Sequence, residues 1–305
     1  SSLLQAGAQV MVDAAVVTVS TYQRLHQGLS SSATELSCSE GNLIDEIWRQ
    51  DRVSMPSYAV ARHPDAFAGA TFADKLVALR SALQQRTCDY LLVTDLTLLA
   101  WLFNLRGQAV ATTPLLVAYA IVGHDTVQLF TDVELTSEIL DYLTENVAVV
   151  RPYDEFQRAL ARLTGRVWLD PDRTSVATLS GLDQAEADYE ASPLILPRAC
   201  KNDAEQEGMR VAHRHDGLAL VRFFSWLERD EHWRGLTEVT FAQKLLSYRQ
   251  CSEYFSTVSF ATICGYGDHG AVVHYQATEE SAYSIADDSC LLLDSGGQYT
   301  CGGTT

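Results

Sequence analysis

The sequence predicts an α/β protein, α+β toward its end, in which helices flank a mixed sheet. Three observations predict it. Between residues 72 and 169, helix-period segments alternate with short apolar runs of buried-strand length. A long helix-period stretch follows residue 201, and β-like runs come after it. The 305 residues suffice for two or three domains, each with a core.

Residues 1–50 carry two short β-like runs, 8–12 and 14–19, then a short helix at 21–28 and another at 42–48. None of these closes a core alone, so the region reads as the end of a domain that begins earlier. Residues 49–64 are polar, contain Pro56 and Pro64, and read as a linker. A helix at 72–85 places Leu76, Leu79 and Leu83 on one face. A buried strand at 90–93 leads to a Leu- and Trp-rich helix at 95–105, and strands at 115–122 and 126–130 are joined by Gly123-His124-Asp125. Helix 137–145, strand 147–150, helix 154–163 and strand 166–169 continue the alternation. Pro193 and Pro197 mark the next boundary. Asn202 caps a long helix, with Glu205 as its capping-box partner, and Leu220, Phe224 and Leu227 form that helix's apolar face. Gly235 follows, and a second capping box at Thr240 and Gln243 opens a helix to about residue 249. Runs at 254–264, 271–275 and 290–293 predict strands. There is no internal repeat and no low-complexity segment.

Hydrophobic residues make up 47% and charged residues 20%, the balance of a soluble globular protein. A net charge of −17 repels polyanions, so nucleic acid is excluded as a partner. No apolar run is long enough to cross a bilayer, and no signal-peptide pattern opens the sequence. Seven scattered cysteines without a C-x-x-C pair fit reduced thiols and a cytoplasmic location.

Two residues stand out chemically. Asp294 ends the apolar run Leu291-Leu292-Leu293 and precedes Ser295-Gly296-Gly297, the turn of an expected hairpin. A strand-end carboxylate suits a hard divalent metal, and two on adjoining strands can hold a metal pair about 3.5–4 Å apart. An ordinary turn-capping Asp has the same local pattern. His274 ends the run Ala271-Val272-Val273. An imidazole titrates near neutral pH and suits a proton donor, although by itself the pattern favours a satisfied structural histidine. His213, His215 and Asp216 do not make a metal site, because i and i+2 point to different sides of a helix. The Gly-rich 265–270 segment lacks phosphate-loop spacing, and neither G-x-S-x-G nor H-E-x-x-H occurs.

Four segments, in order, carry a resemblance: Trp101-Leu102-Phe103-Asn104-Leu105-Arg106-Gly107; Lys201-Asn202 with Ala204-Glu205, Glu207-Gly208-Met209-Arg210 and Ala212-His213; Gly270-Ala271-Val272-Val273-His274-Tyr275; and Leu293-Asp294-Ser295-Gly296-Gly297-Gln298-Tyr299. Together they resemble aminopeptidase P (Xaa-Pro aminopeptidase), in its long cytosolic three-domain form, of the creatinase and methionine-aminopeptidase superfamily. The resemblance implies that residues 1–57 are the tail of a first N-terminal domain and 58–198 a second, creatinase-like one. Residues 199–305 are then the first part of a pita-bread metallopeptidase domain.

In that family the catalytic domain holds two Mn²⁺ ions through two Asp, one His and two Glu. Asp294 matches the first Asp, and His274 the substrate-facing active-site His that assists the tetrahedral intermediate. The family's second Asp directly follows G-T-T, whereas Gly303-Thr304-Thr305 are the last residues here. One more residue than in the family separates Tyr299 from Thr304. The resemblance implies an enzyme acting on peptides with proline in second position, a homodimer in its full-length form. It also implies that these residues alone, a fragment lacking most metal ligands, are inactive and hold no metal. A non-catalytic pita-bread module that binds peptides or histones is the alternative. Among enzymes the rivals are prolidase and creatinase, against which the 101–107 stretch and the first-domain remnant weigh.

Overall fold

Successive side chains of a strand point to opposite faces, so a run that is apolar throughout needs cover on both sides. Leu91-Leu92-Val93 is such a run, and it sets the layers of the first half. The computed structural model describes residues 7–30, 34–39, 41–52, 57–229 and 233–305. They divide into two units, one of residues 1–62, 70–109 and 115–200, the other of 63–69, 110–114 and 201–305.

The first unit opens with β1 (Gln9–Asp13), α1 (Val19–Leu29) and β2 (Glu35–Ser39), the two strands pairing in parallel. The expected strand at 14–19 does not form. The Asp13 carboxylate accepts from Ala15 N–H at 2.8 Å and starts a turn, and Thr18 then caps α1. Next come α2 (Leu43–Ile47) and β3 (Val60–Arg62). The expected linker thus contains a strand that pairs with a later one, while residues 53–56 lie outside those described. After α3 (Asp65–Ala68), which belongs to the second unit, the alternation begins in earnest. It runs α4 (Phe72–Arg86), β4 (Tyr90–Val93), α5 (Leu96–Leu102), β5 (Leu105–Gly107), β6 (Tyr119–Gly123), β7 (Val127–Phe130), α6 (Ser137–Glu145) and β8 (Ala148–Arg151). Then follow α7 (Glu155–Leu160), β9 (Gly165–Leu169), α8 (Val176–Ser180), β10 (Ala185–Tyr189) and α9 (Ile195–Ala199).

Six of these strands form one mixed sheet in the order β10-β9-β4-β6-β7-β8, with antiparallel steps only at β4–β6 and β6–β7. On one face Leu91, Val93, Ala120, Val122 and Leu129 meet Leu76, Leu79 and Leu83 of α4 and Leu143 of α6. On the other, Leu92, Ile121, Phe130 and Val167 meet Phe156 and Leu160 of α7. The expected α/β class with a mixed sheet and flanking helices is what the chain adopts. The Trp101–Gly107 stretch serves this scaffold. Lys75 Nζ donates to Trp101 O and to Asn104 Oδ1 at 2.7 and 2.6 Å, and Asn104 adopts a left-handed φ of 50° between α5 and β5.

The second unit is organised by α10 (Asp203–Arg229) and α11 (Glu238–Arg249). The Asn202 capping box forms as its spacing requires. Glu205 N–H donates to Asn202 Oδ1, and Asn202 N–H donates to Glu205 Oε2, both at 2.9 Å. The next helix starts three residues earlier than expected. Thr237, not Thr240, is its N-cap, and Thr240 answers as the third-position partner. Phe224 is 53% exposed and Phe223 fully buried, so the apolar face of α10 is set one residue earlier than expected, with Leu220 and Leu227 at its margin.

Strands β11 (Phe255–Val258), β14 (Gly297–Tyr299) and β15 (Gly302–Gly303) form one antiparallel sheet. Strands β12 (Ile263–Tyr266) and β13 (Leu291–Asp294) form another. The expected strand at 271–275 is absent. A 3₁₀ turn at Gly267–Ala271 occupies its start, and Val272 and Val273 are 53% and 82% exposed, so no partner strand covers them.

Candidate metal centre

Asp294 is the last residue of β13, opposite Ile263 of β12. Its apolar predecessors carry it to the sheet end, where the carboxylate is exposed. Among the described residues it has no hydrogen-bond or ion-pair partner. The segment after it is not a hairpin turn, contrary to the sequence expectation. Ser295 and Gly296 pass the chain from the β12–β13 pair into the three-stranded sheet. The hairpin comes later, between β14 and β15, with Tyr299 opposite Gly302 and a two-residue turn of Thr300 and Cys301. The four residues between Tyr299 and Thr304 thus form this turn and β15.

The hairpin brings Thr304 back beside Gly296, two positions after Asp294. A Cβ on Gly296 would lie 2.3 Å from both Thr304 O and Ser259 Oγ, so only glycine fits. Thr304 N–H donates to Gly297 O at 2.8 Å, and Gly297 N–H donates to Thr304 Oγ1 at 2.9 Å. Both sides of this crossover are tied to a buried charge pair that sequence reasoning missed. Arg249, on α11, donates from Nη2 to Ser295 Oγ at 3.1 Å and from Nε to Asp216 Oδ1 at 2.7 Å. The Tyr299 hydroxyl donates to the same Asp216 oxygen at 2.8 Å. Burial works against the charge of Asp216, but the hydrogen bonds from Arg249 and Tyr299 outweigh it and hold the carboxyl below the usual carboxylate range. The i,i+4 and i,i+3 geometry of α10 and α11 gives no local clue to this pairing. The one available signal was a lone Asp on the apolar side of a long helix.

His274 is also exposed and without a hydrogen-bond partner among the described residues. Its φ is 55°, a left-handed conformation that is uncommon for residues with a side chain. It follows the 3₁₀ turn, and its neighbour Tyr275 donates its hydroxyl to Glu238 Oε2 at 3.0 Å. His213 and His215 diverge as helix geometry demands. The first meets Met209 O at 2.8 Å, and the second meets Ser252 Oγ at 3.0 Å.

Asp294 offers the hard, unpaired oxygen that a divalent ion needs. One carboxylate does not make a dinuclear set. Among the described residues no three His, Cys, Asp or Glu side chains come together as a metal-binding group. Nor is any described helix long and apolar enough to cross a membrane.

Residues 51–205 match the creatinase/prolidase N-terminal domain, and residues 207–305 match metallopeptidase family M24. The chain belongs to the creatinase/prolidase family of M24 metallopeptidases. A probable Xaa-Pro aminopeptidase P from Aspergillus clavatus is 35% identical over 98% of this chain and 48% of its own length. Aminopeptidase P2 from Arabidopsis thaliana is 32% identical over 100% of the chain and 48% of its own. The X-prolyl aminopeptidase of Caenorhabditis elegans, described as a cytosolic enzyme with a di-nuclear active site, superposes with a TM-score of 0.92 at 29% identity. That match covers 99% of this chain and 51% of the other. An Xaa-Pro dipeptidase from Bacillus anthracis shares the fold at a TM-score of 0.55, with 16% identity over 75% of this chain and 62% of its own. The chain spans about half the length of the curated relatives it matches.

Proposed function

We propose that this chain contributes Asp294 and His274 to a metal-dependent Xaa-Pro aminopeptidase. The observation that carries the reading is the unpaired Asp294 carboxylate at the end of β13, on a chain 35% identical over 98% of its length to a probable Xaa-Pro aminopeptidase P. In this reading residues 1–57 and 58–198 are the remnant of one N-terminal domain and the whole of a second, and 199–305 belong to the catalytic domain. The substrate is a peptide with proline in second position, the metals are two Mn²⁺ ions, and the working enzyme is a cytoplasmic homodimer.

The chemistry follows from the scissile bond. Proline has no backbone N–H, and the bond before it is a tertiary amide, so a site that reads this N–H gains nothing from it. Asp294 would be one oxygen donor to a metal pair, which when bound supplies Lewis acidity and a lowered water pKa. His274 stands free to hydrogen-bond the carbonyl oxygen of the substrate as negative charge develops there, or to carry a proton. The described residues bring no three such ligands together, and we propose that the 305 residues on their own neither hold the metal pair nor cleave.

Replacing each residue in the longest natural form of the protein tests this reading. Asp294→Asn should lower the Mn²⁺ content and abolish release of the N-terminal residue from an Xaa-Pro-Xaa peptide. His274→Ala should keep the metal and lose kcat by about 10²–10⁴-fold, the usual worth of a positioned proton carrier. Full activity in both variants would overturn the assignment.

A further inference from the structure

One fully buried carboxylate organises the segment that carries His274. Glu238, in the first turn of α11, is 0% exposed. It accepts from Tyr266 N–H at 2.6 Å, from Tyr283 N–H at 3.0 Å and from the Tyr275 hydroxyl at 3.0 Å. The Nδ1 of His269 lies 3.0 and 3.1 Å from its two oxygens. These donors come from both ends and the middle of residues 266–283. The His269 ring stacks on Tyr283 at 3.6 Å and on Tyr275 at 4.4 Å between centroids, so the partners also hold one another. Tyr275 is the residue after His274, so its hydroxyl ties this carboxylate to the adjacent position in the chain.

We propose that Glu238 is a positioning residue for His274, a role that rests on the peptidase reading. A left-handed backbone at a residue with a side chain is unfavourable and persists only where the surroundings over-determine it. Among the described residues His274 has no side-chain partner of its own, so its place is set by the loop. The loop in turn converges on Glu238. The carboxylate remains charged there. Burial opposes its charge, but the two backbone N–H groups, His269 and Tyr275 outweigh burial and hold it below the usual range.

Two readouts separate this role from the reading beneath it. In the 305-residue chain, hydrogen exchange at the Tyr266 and Tyr283 amides reports the anchor without metal or activity. In the longest natural form, steady-state kinetics on an Xaa-Pro-Xaa peptide reports His274. Glu238→Gln should speed exchange at both amides by about tenfold or more, as loss of a hydrogen bond to a charged group implies. It should lower kcat on the order of 100-fold, the usual cost of a displaced catalytic group, with KM within about threefold, the pattern of an interaction made in the transition state. Tyr275→Phe removes one donor and leaves the carboxylate, and it serves if the glutamine variant does not fold. It should lower kcat less, leave KM in place and leave the Tyr283 amide protected. Unchanged exchange in Glu238→Gln overturns the anchor. Unchanged kcat in Tyr275→Phe and in a folded Glu238→Gln, where His274→Ala is impaired, overturns the positioning role. Exchange that responds in a protein that never cleaves leaves the anchor standing and sinks the peptidase reading together with the positioning role.

Discussion

Arg249 and Asp216 form a bidentate pair with no exposed guanidinium surface, Nε to Oδ1 at 2.7 Å and Nη2 to Oδ2 at 3.3 Å. The pair joins α10 to α11, and through Ser295 and Tyr299 it grips the crossover just after Asp294 on both sides. Removing one partner leaves the other charge buried and uncompensated. Arg249→Met should therefore cost about 3–5 kcal/mol of stability by urea unfolding. Tyr299→Phe should cost about 1.5–3 kcal/mol, one hydrogen bond to a charged group. Asp216→Leu combined with Arg249→Met should be less destabilising than Arg249→Met alone, because no lone charge remains.

Acid should act through the same carboxylate. The folded-state pKa of Asp216 is depressed, as are those of Glu238 and of Asp188, the last chiefly by its hydrogen bond from Arg86. Stability from such groups is present above the unfolded carboxylate values of about 3.9–4.3 and is lost as pH falls through the folded ones. The urea midpoint should stay level from pH 7 to about 5 and fall steeply below about 4. In Arg249→Met the low-pH fall should be shallower. An equal fall in both proteins would contradict the role of the pair.

Much of the fold was legible because it rests on local signals. Leu76, Leu79 and Leu83 fixed one helix face, Leu91-Leu92-Val93 a strand covered on both sides, and Asn202 with Glu205 a capping box. The misreadings share a cause. Val272 and Val273 look like a strand, but a strand needs a neighbour, and the loop's polar groups instead converge on Glu238, far off in sequence. Ser295-Gly296 looks like a hairpin turn, but tertiary pairing sends β13 and β14 to different sheets. At the candidate site Asp294 and His274 were visible as residue types in a pattern. The buried groups behind them, Asp216, Arg249 and Glu238, were not, since only the folded chain brings them together.

Two glycines of one helix should respond oppositely to a methyl group. A Cβ on Gly208 would lie 2.4 Å from Cys301 O, where α10 passes the β14–β15 turn. At Gly217 nothing lies within 4 Å. Gly217→Ala should raise stability by about 0.5–1 kcal/mol, the helix-propensity difference. Gly208→Ala should lower it and disturb the turn. Thermal unfolding of the two variants checks both signs.

The thiols should sort by burial. Cys38, Cys200, Cys251 and Cys290 are exposed, and Cys88, Cys264 and Cys301 are buried. Burial pushes Cys88 up to about 11, helped by Asp188, and Cys264 up to about 12, helped by Glu238. Native labelling with iodoacetamide near pH 8 should modify the exposed four rapidly and spare the buried three until urea is added. Labelling of Cys264 in the native protein would contradict the packing around Glu238.

The central claim is the proposal that Asp294 and His274 belong to a metal-dependent site for Xaa-Pro peptides whose ligand set the described residues alone do not assemble. The most direct test is Mn²⁺-dependent release of the N-terminal residue from an Xaa-Pro-Xaa peptide, measured side by side for the 305-residue chain and for the longest natural form of the protein. The account predicts cleavage by the longest natural form and none by these 305 residues by themselves. Cleavage by the 305 residues alone would contradict the account of the metal site, and no cleavage by either with Mn²⁺ supplied would contradict the peptidase itself.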